Sequence, residues 1–355
     1  MDPDEARTRA RILDANLNRA AEALRVAEDV CRFHWNLEGF ARDLKELRHA
    51  VFAALSGEDR PRELYARSRD IEGDVGRGGP PPAAASGRPE DLPSVAFRNL
   101  GRAKEALRTL AEAAGDPDAA RRLEGCRYRL YAIEKGISHL AAPGELRSRL
   151  ALARLCCIVP AEAASPPLEA ALRAALEAGA EMVQLRAKVR PDGVVLAAAR
   201  RLRELTARAG ALFVVNDRPD LAVLACADGV HVGQEDLPVA EARAIVGPER
   251  LVGVSTHGPE QARAAERAGA DYVGAGPVFQ TSTKEAGPPI GPDGLAEILG
   301  AVSLPAFAIG GIGPDSVAAA AAAGARRVAV SAAILKAEDP RRAAERILAA
   351  LPKLP

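Results

Sequence analysis

Across residues 150–355, eight short apolar runs alternate with helical stretches, and this alternation constrains the fold more than any other feature of the chain. The runs are RLCCIV (154–159), MVQLRA (182–187), LFVVN (212–216), GVHVG (229–233), LVGVS (251–255), YVGAGPVF (272–279), PAFAIG (305–310) and RVAVSAA (327–333). Amphipathic or alanine-rich segments such as 167–179, 193–209, 259–269 and 339–351 fill the gaps. Strands that alternate regularly with helices pair in parallel, and eight such units predict a closed (β/α)8 barrel, the TIM barrel of the α/β class. An open doubly wound sheet is the alternative, but no G-x-G-x-x-G follows the first run.

Residues 1 to about 140 have a different period. Leu13, Leu17, Ala20, Leu24, Ala27 and Cys31 recur at spacings of three and four, the stripe of an amphipathic helix. Segments 38–55 and 118–140 read the same way, and GRGGPPPAAASGRPED (76–91) reads as a connector. The expected organisation is an all-α domain over 1–145 and a barrel over 146–355. The helical half repeats itself: NLNRAAEALR (16–25) returns as NLGRAKEALR (99–108). Asn16, Arg19, Glu22 and Arg25 therefore match Asn99, Arg102, Glu105 and Arg108. Either the charged pairs decorate a solvated face, or two pseudo-symmetric helices face one pocket and keep its polar residues.

Charge and cysteine content exclude several classes. Lys plus Arg and Asp plus Glu are 48 each. That balance argues against nucleic acid or an anionic membrane as main partner and leaves room for a local basic pocket. No apolar run reaches the roughly 18 residues of a membrane helix, and the charged N-terminus lacks the apolar core of a signal peptide. Five cysteines without a C-x-x-C pair argue against a disulfide framework or a structural zinc, so a reducing cytoplasm is the expected setting. Only seven of the basic residues are lysine, so a lysine inside a motif carries more information than an arginine.

Polar residues interrupt the barrel runs where the fold expects apolar ones. Gln184, Arg186 and Lys188 alternate along the second run and share one face. Two cations there are costly to bury alone, and an anion at the barrel mouth resolves the cost. Asn216 and Asp217 end the third run and Asp236 follows the fourth, where barrels of this kind carry their chemistry. Two carboxylates on neighbouring strands beside an anion suit Mg2+; the bland reading makes Asp236 a helix cap and Asp217 a turn residue. Ser255 ends the fifth run, and Thr281, Ser282, Thr283 and Lys284 lie on the loop after the sixth. Gly310-Gly311 and Val330-Ser331 close the last two runs, the usual phosphate seat of the fold. His231 lies inside a strand and reads as a hydrogen-bonded core or rim histidine, and neither it nor His257 belongs to a hydrolytic triad.

VQLRAK, VVNDR, ADGVHVGQEDLP, GVSTH, ADYVGAGPVFQTSTK, AIGGI and VAVSAAI follow one another in the order and spacing of the thiamine phosphate synthase family, and residues 150–355 resemble it throughout. The resemblance implies that Gln184, Leu185, Arg186, Ala187, Lys188, Asn216, Ser255 and Lys284 hold a hydroxymethylpyrimidine diphosphate. It implies that Asp217 and Asp236 bind Mg2+, and that Thr281, Ser282, Thr283, Gly311, Val330 and Ser331 hold a thiazole phosphate. Arg186, Lys188 and Lys284 would stabilise the departing diphosphate. Thiazole tautomerase-like relatives share the fold, use a histidine and lack the diphosphate-binding set. NLNRAAEALRVAEDVCRF, SRDIEGDVG and FRNLGRAKEALRTLAE resemble a small helical domain associated with hydroxymethylpyrimidine phosphate kinase activity. That resemblance implies ATP as co-substrate with Mg2+ as cofactor, the repeated Asn, Arg, Glu and Arg set as the site, and Asp70 and Asp74 as metal ligands. No P-loop or kinase glycine loop is present; the competing reading is a non-catalytic dimerisation or lid module. Phosphorylated pyrimidine and thiazole compounds are the expected partners, and the sequence leaves a homo-oligomer open.

Overall fold

The computed structural model describes residues 3–35, 37–55, 91–138, 145–188, 190–280 and 288–354. It divides into two compact units, Met1–Ala141 and Ala142–Pro355.

The first unit is helical, as read from its period. Its described helices are α1 (Pro3–Phe33), α2 (Glu38–Ala54), α3 (Leu92–Ala113) and α4 (Pro117–Ser138). The expected stripe on α1 is buried from Leu13 to Cys31. Helix α1 packs on α2 and α3, and α4 packs on the same two, so the repeated sequences form two hairpins side by side. Each hairpin carries its own half-buried ion pair: Glu28 with Arg48 at 3.1 Å, and Lys104 with Glu134 at 2.7 Å. Asp91 caps α3 by accepting the Ser94 N–H at 2.7 Å.

The second unit is the expected closed barrel, with eight parallel strands in chain order and β8 returning to β1. The strands are β1 (Leu155–Val159), β2 (Met182–Leu185), β3 (Leu212–Asn216), β4 (Gly229–Val232), β5 (Leu251–Thr256), β6 (Tyr272–Ala275), β7 (Ala306–Ile309) and β8 (Val328–Val330). Between them lie α6 (Pro166–Glu177), α7 (Asp192–Ala209), α8 (Pro219–Leu224), α9 (Val239–Val246), α10 (Pro259–Arg267), α11 (Gly291–Ala301), α12 (Val317–Ala322), α13 (Ala332–Leu335) and α14 (Pro340–Ala350). Six strands are shorter than their runs, β6 and β8 by the most, four residues each. Pro277 has no N–H for a ladder, so β6 stops at Ala275. β8 stops at Val330, where the chain turns into α13.

Alternation sorts each strand into two cores. Val183, Phe213, Val230, Val252 and Val273 face the helices. Cys156, Met182, Leu212, Leu251, Tyr272 and Phe307 fill the barrel. A helix that the sequence did not announce, α5 (Glu145–Leu152), lies across the N-terminal ends of the strands. Its Leu150 joins the interior core. Arg147 pairs with Asp271 at 2.7 Å, and Arg149 donates to the Gly210 carbonyl at 3.0 Å. The barrel is thereby shut below. No helix among the described residues is long and apolar enough to cross a membrane.

Candidate active site

The open end of the barrel gathers the polar residues. Gln184 is buried on β2 and points inward, while Arg186 is half-buried and Lys188 exposed beyond the strand end. Gln184 Nε2 donates to Asn216 Oδ1 at 2.6 Å, and Asn216 Nδ2 donates to a carboxylate oxygen of Asp217. Asp217 adopts φ 62°, a left-handed conformation uncommon outside glycine. Its N–H donates to the His231 carbonyl at 2.8 Å. This turn brings its carboxyl against that of Asp236, which accepts the Gly233 N–H at 2.7 Å. Asp236 thus serves a local turn and not the cap of α9, whose N-cap is Pro238.

Burial, and then the neighbouring Asp236, push the Asp217 carboxyl up to about 6; the Asn216 hydrogen bond and Lys188 oppose the shift. Two carboxylates held this close, with Lys188 alongside, fit a divalent ion that takes oxygen ligands. Among the described residues no group of three or more His, Cys, Asp or Glu could hold a metal. A pair of carboxylates is the kind of donor set Mg2+ takes, its shell being completed by water and phosphate. A pH dependence follows. With no ion bound, the raised carboxyl favours the folded state at low pH, and that stability is lost as pH rises from the ordinary value of 3.8 through about 6. Protons compete with Mg2+ for the same oxygens. Mg2+ is expected to raise the melting temperature more at pH 7.5 than at pH 5 in a thermal scan; an equal rise at both would contradict the pairing.

Below the carboxylates is a pocket inside the barrel. Gln184, His231 and Ser255 line it with the apolar Met182, Tyr272 and Phe307. His231 is buried and hydrogen-bonded, as its strand position suggested, and burial pushes it down to about 4. Its partners were not legible: Nε2 lies 2.9 Å from Ser255 Oγ and Nδ1 3.1 Å from Tyr272 Oη. Gln234 Nε2 also holds the Ser255 carbonyl, at 2.6 Å. The Tyr272 ring fits because its register partner on β5 is Gly253, where a Cβ would lie 2.0 Å from Tyr272 Cζ.

The glycine turn after β7 forms another part of the mouth. Gly310 and Gly311 have φ 95° and 64°. A Cβ on Gly311 would meet the Gln280 carbonyl at 2.5 Å, so glycine is required there. Ser316 Oγ donates to the Gly311 carbonyl at 2.9 Å. Ser331 is exposed at the head of α13. The side chains of Leu185 and Val330 belong to the shell between barrel and helices, and that of Ala187 packs against it, so these three offer the mouth only backbone. Thr281, Ser282, Thr283 and Lys284 lie outside the described residues.

In the helical unit, Asn16 and Asn99 are buried and make the same bond. Each donates to the carbonyl four residues back, Ile12 at 2.9 Å and Val95 at 2.8 Å. Arg19 donates to Asn16 Oδ1 at 3.0 Å. Arg19, Glu22, Arg25, Arg102, Glu105 and Arg108 are exposed. Arg25 and Arg108 reach forward to Asp29 and Glu112, at 4.0 and 2.9 Å, and not back to Glu22 and Glu105. Asp70 and Asp74 lie outside the described residues.

Comparison with known proteins joins both halves. The family model described as Thiamine monophosphate synthase matches residues 155–334, and the ThiD2 family matches residues 11–136. A thiamine-phosphate synthase of Gloeobacter violaceus is 44% identical over 335 residues, 94% of each chain. One of Rhodopirellula baltica is 40% identical over 338 residues, 93% of this chain and 89% of the relative. Among solved structures, a thiamine phosphate pyrophosphorylase from Pyrococcus furiosus has 38% identity and a TM-score of 0.51, covering 57% of this chain and 96% of its own. Matches that run through the helical unit and the barrel alike carry the resemblance from motif to whole chain: it belongs to the thiamine monophosphate synthase family.

Proposed function

We propose that the barrel joins 4-amino-2-methyl-5-(diphosphooxymethyl)pyrimidine to a thiazole phosphate, or its carboxylate, giving thiamine phosphate and pyrophosphate, with carbon dioxide released as well when the carboxylate is used. Thiamine-phosphate synthesis is the activity named for its full-length relatives. The observation that carries the reading is the line from Gln184 through Asn216 to Asp217, with Asp236 and the cationic Lys188 beside it. Gln184, Asn216 and Ser255 orient the pyrimidine over the apolar floor. Arg186, Lys188 and Lys284 stabilise the leaving diphosphate as the C–O bond breaks. Asp217 and Asp236 would hold Mg2+, which would supply further positive charge against that group. Thr281, Ser282, Thr283 and Ser331, with the backbone of Gly311 and Val330, hold the thiazole phosphate so that its nitrogen faces the pyrimidine methylene. That nitrogen attacks with a free lone pair, so no general base is needed. Met182, Tyr272 and Phe307 line the pocket and limit the water that could compete with it.

For the helical unit we propose ATP-dependent phosphorylation of hydroxymethylpyrimidine phosphate to the diphosphate, supported by the ThiD2 match. Asn16, Arg19, Glu22, Arg25 and their counterparts Asn99, Arg102, Glu105 and Arg108 are its candidate site. The second reading is a non-catalytic interaction module. It is favoured by the exposure of the repeated charges and the pairing of Arg25 and Arg108 on their own helices.

A coupled assay on the intact chain separates these readings. One arm supplies the monophosphate with ATP, the thiazole phosphate and Mg2+; the other supplies the diphosphate without ATP. Thiamine phosphate in both arms is the expected result. Product from the diphosphate alone would leave the module reading, and product in neither would sink the synthase.

A further inference from the structure

The pocket contains a line of hydrogen bonds behind Ser255 to which the proposed mechanism gives no role. It runs from Tyr272 Oη to His231 Nδ1, 3.1 Å apart, and from His231 Nε2 to Ser255 Oγ, 2.9 Å apart. Tyr272 and His231 are both buried. Around the phenol the barrel is apolar, with Phe307 edge-on at 5.8 Å between ring centroids. A buried phenol left with an unpaired O–H pays the full desolvation cost of that proton. Tyr272 therefore donates to Nδ1. A neutral imidazole has one donor and one acceptor, so its proton sits on Nε2 and goes to Ser255. Ser255 Oγ accepts there, and its own hydrogen turns to the half-buried side of the residue, which faces the pocket.

A second line is anchored in the same way from the opposite wall. Asn216 presents Nδ2 to the Asp217 carboxyl and accepts from Gln184 at Oδ1. Gln184 then spends one of its two amide N–H groups on Asn216, which fixes the amide's orientation and leaves Oε1 to accept.

We propose that Tyr272 and His231 are positioning residues that fix Ser255 as a hydrogen-bond donor, so that Ser255 and Gln184 Oε1 together read a 4-aminopyrimidine and reject its 4-oxo counterpart. An aminopyrimidine offers a ring nitrogen that accepts beside an amine that donates. The oxo ring offers an N–H and a carbonyl, the reverse pattern. The inference rests on the reading that the pocket takes the pyrimidine ring.

The test uses the full chain, with the diphosphate as substrate and its 4-oxo analogue as competitor. The wild-type chain should favour the amino ring over the oxo ring by about 100-fold or more. Tyr272→Phe removes the donor that sets the tautomer. It should raise KM for the diphosphate about tenfold and narrow the discrimination by a similar factor, with kcat little changed. His231→Gln places an amide N–H near Nε2 and should stay close to wild type, whereas His231→Asn, too short to reach Ser255, should behave like Tyr272→Phe. Independently of activity, nitrogen-15 NMR of histidine-labelled wild-type protein should show His231 protonated at Nε2, with its signals assigned by their loss in His231→Gln. Protonation at Nδ1, or unchanged KM and discrimination in Tyr272→Phe, would overturn the proposal. A wild-type chain that makes no thiamine phosphate would instead remove the synthase reading, and the tautomer would still decide the relay.

Discussion

Asp236→Ala is expected to lower turnover by roughly 10²- to 10³-fold, the scale of losing one group that stabilises charge in the transition state. The protein should still fold. Asp236 is exposed, and it accepts the Gly233 N–H to close a surface turn. Its removal also relieves Asp217. Burial and Asp236 together raise that carboxyl to about 6, so in the variant it titrates closer to an ordinary aspartate. Unfolding without Mg2+ should then be little changed, while the Mg2+-dependent rise in melting temperature shrinks. Lys284→Ala should lose turnover on a similar scale, since the family resemblance places it against the same diphosphate. Steady-state assays beside thermal scans check both variants. Near-normal turnover in either would contradict the assignment of that residue.

Gly253→Ala is expected to destabilise the protein by about 3 kcal/mol, at the upper end of overpacking costs. The new Cβ would lie 2.0 Å from Cζ and 2.3 Å from Cε1 of Tyr272. The ring cannot retreat, because Phe307 and His231 bracket it at centroid distances of 5.8 and 5.4 Å. Urea unfolding measures the loss. Adding Tyr272→Ala to Gly253→Ala should cost less than the two single changes summed, because the clash disappears with the ring. A single-variant loss below about 0.5 kcal/mol, the range of neutral surface changes, would show that the ring is not fixed by this close approach.

The eight strands were legible because a parallel barrel strand is covered on the outside by helices and filled within, and so reads as a short apolar run. The polar exceptions were legible for the same reason: Gln184, Asn216 and Asp217 interrupt runs that burial should keep apolar. Strand ends were harder. Pro277 sits inside an apolar run, and only its missing N–H shortens β6. Helix α5 escaped notice because its sequence is nearly all charge and leucine, and its arginines bond to carbonyls and to Asp271 far along the chain. The His231 partners were hidden for a related reason. Tyr272 and Ser255 become neighbours of the histidine only through the register of β4, β5 and β6. The repeat in the helical half was plain in the sequence, yet its division into a buried asparagine and exposed charges depends on how α1 packs against α3.

Helix α5 has a consequence for traffic. With Leu150 seated in the interior core below Tyr272 and Phe307, the barrel is a cup and not a tunnel. Anything that reaches the pocket passes the rim of carboxylates and glycines, and anything made there leaves by the same opening. Reactants and products share one doorway, so the order in which they come and go is set at the rim.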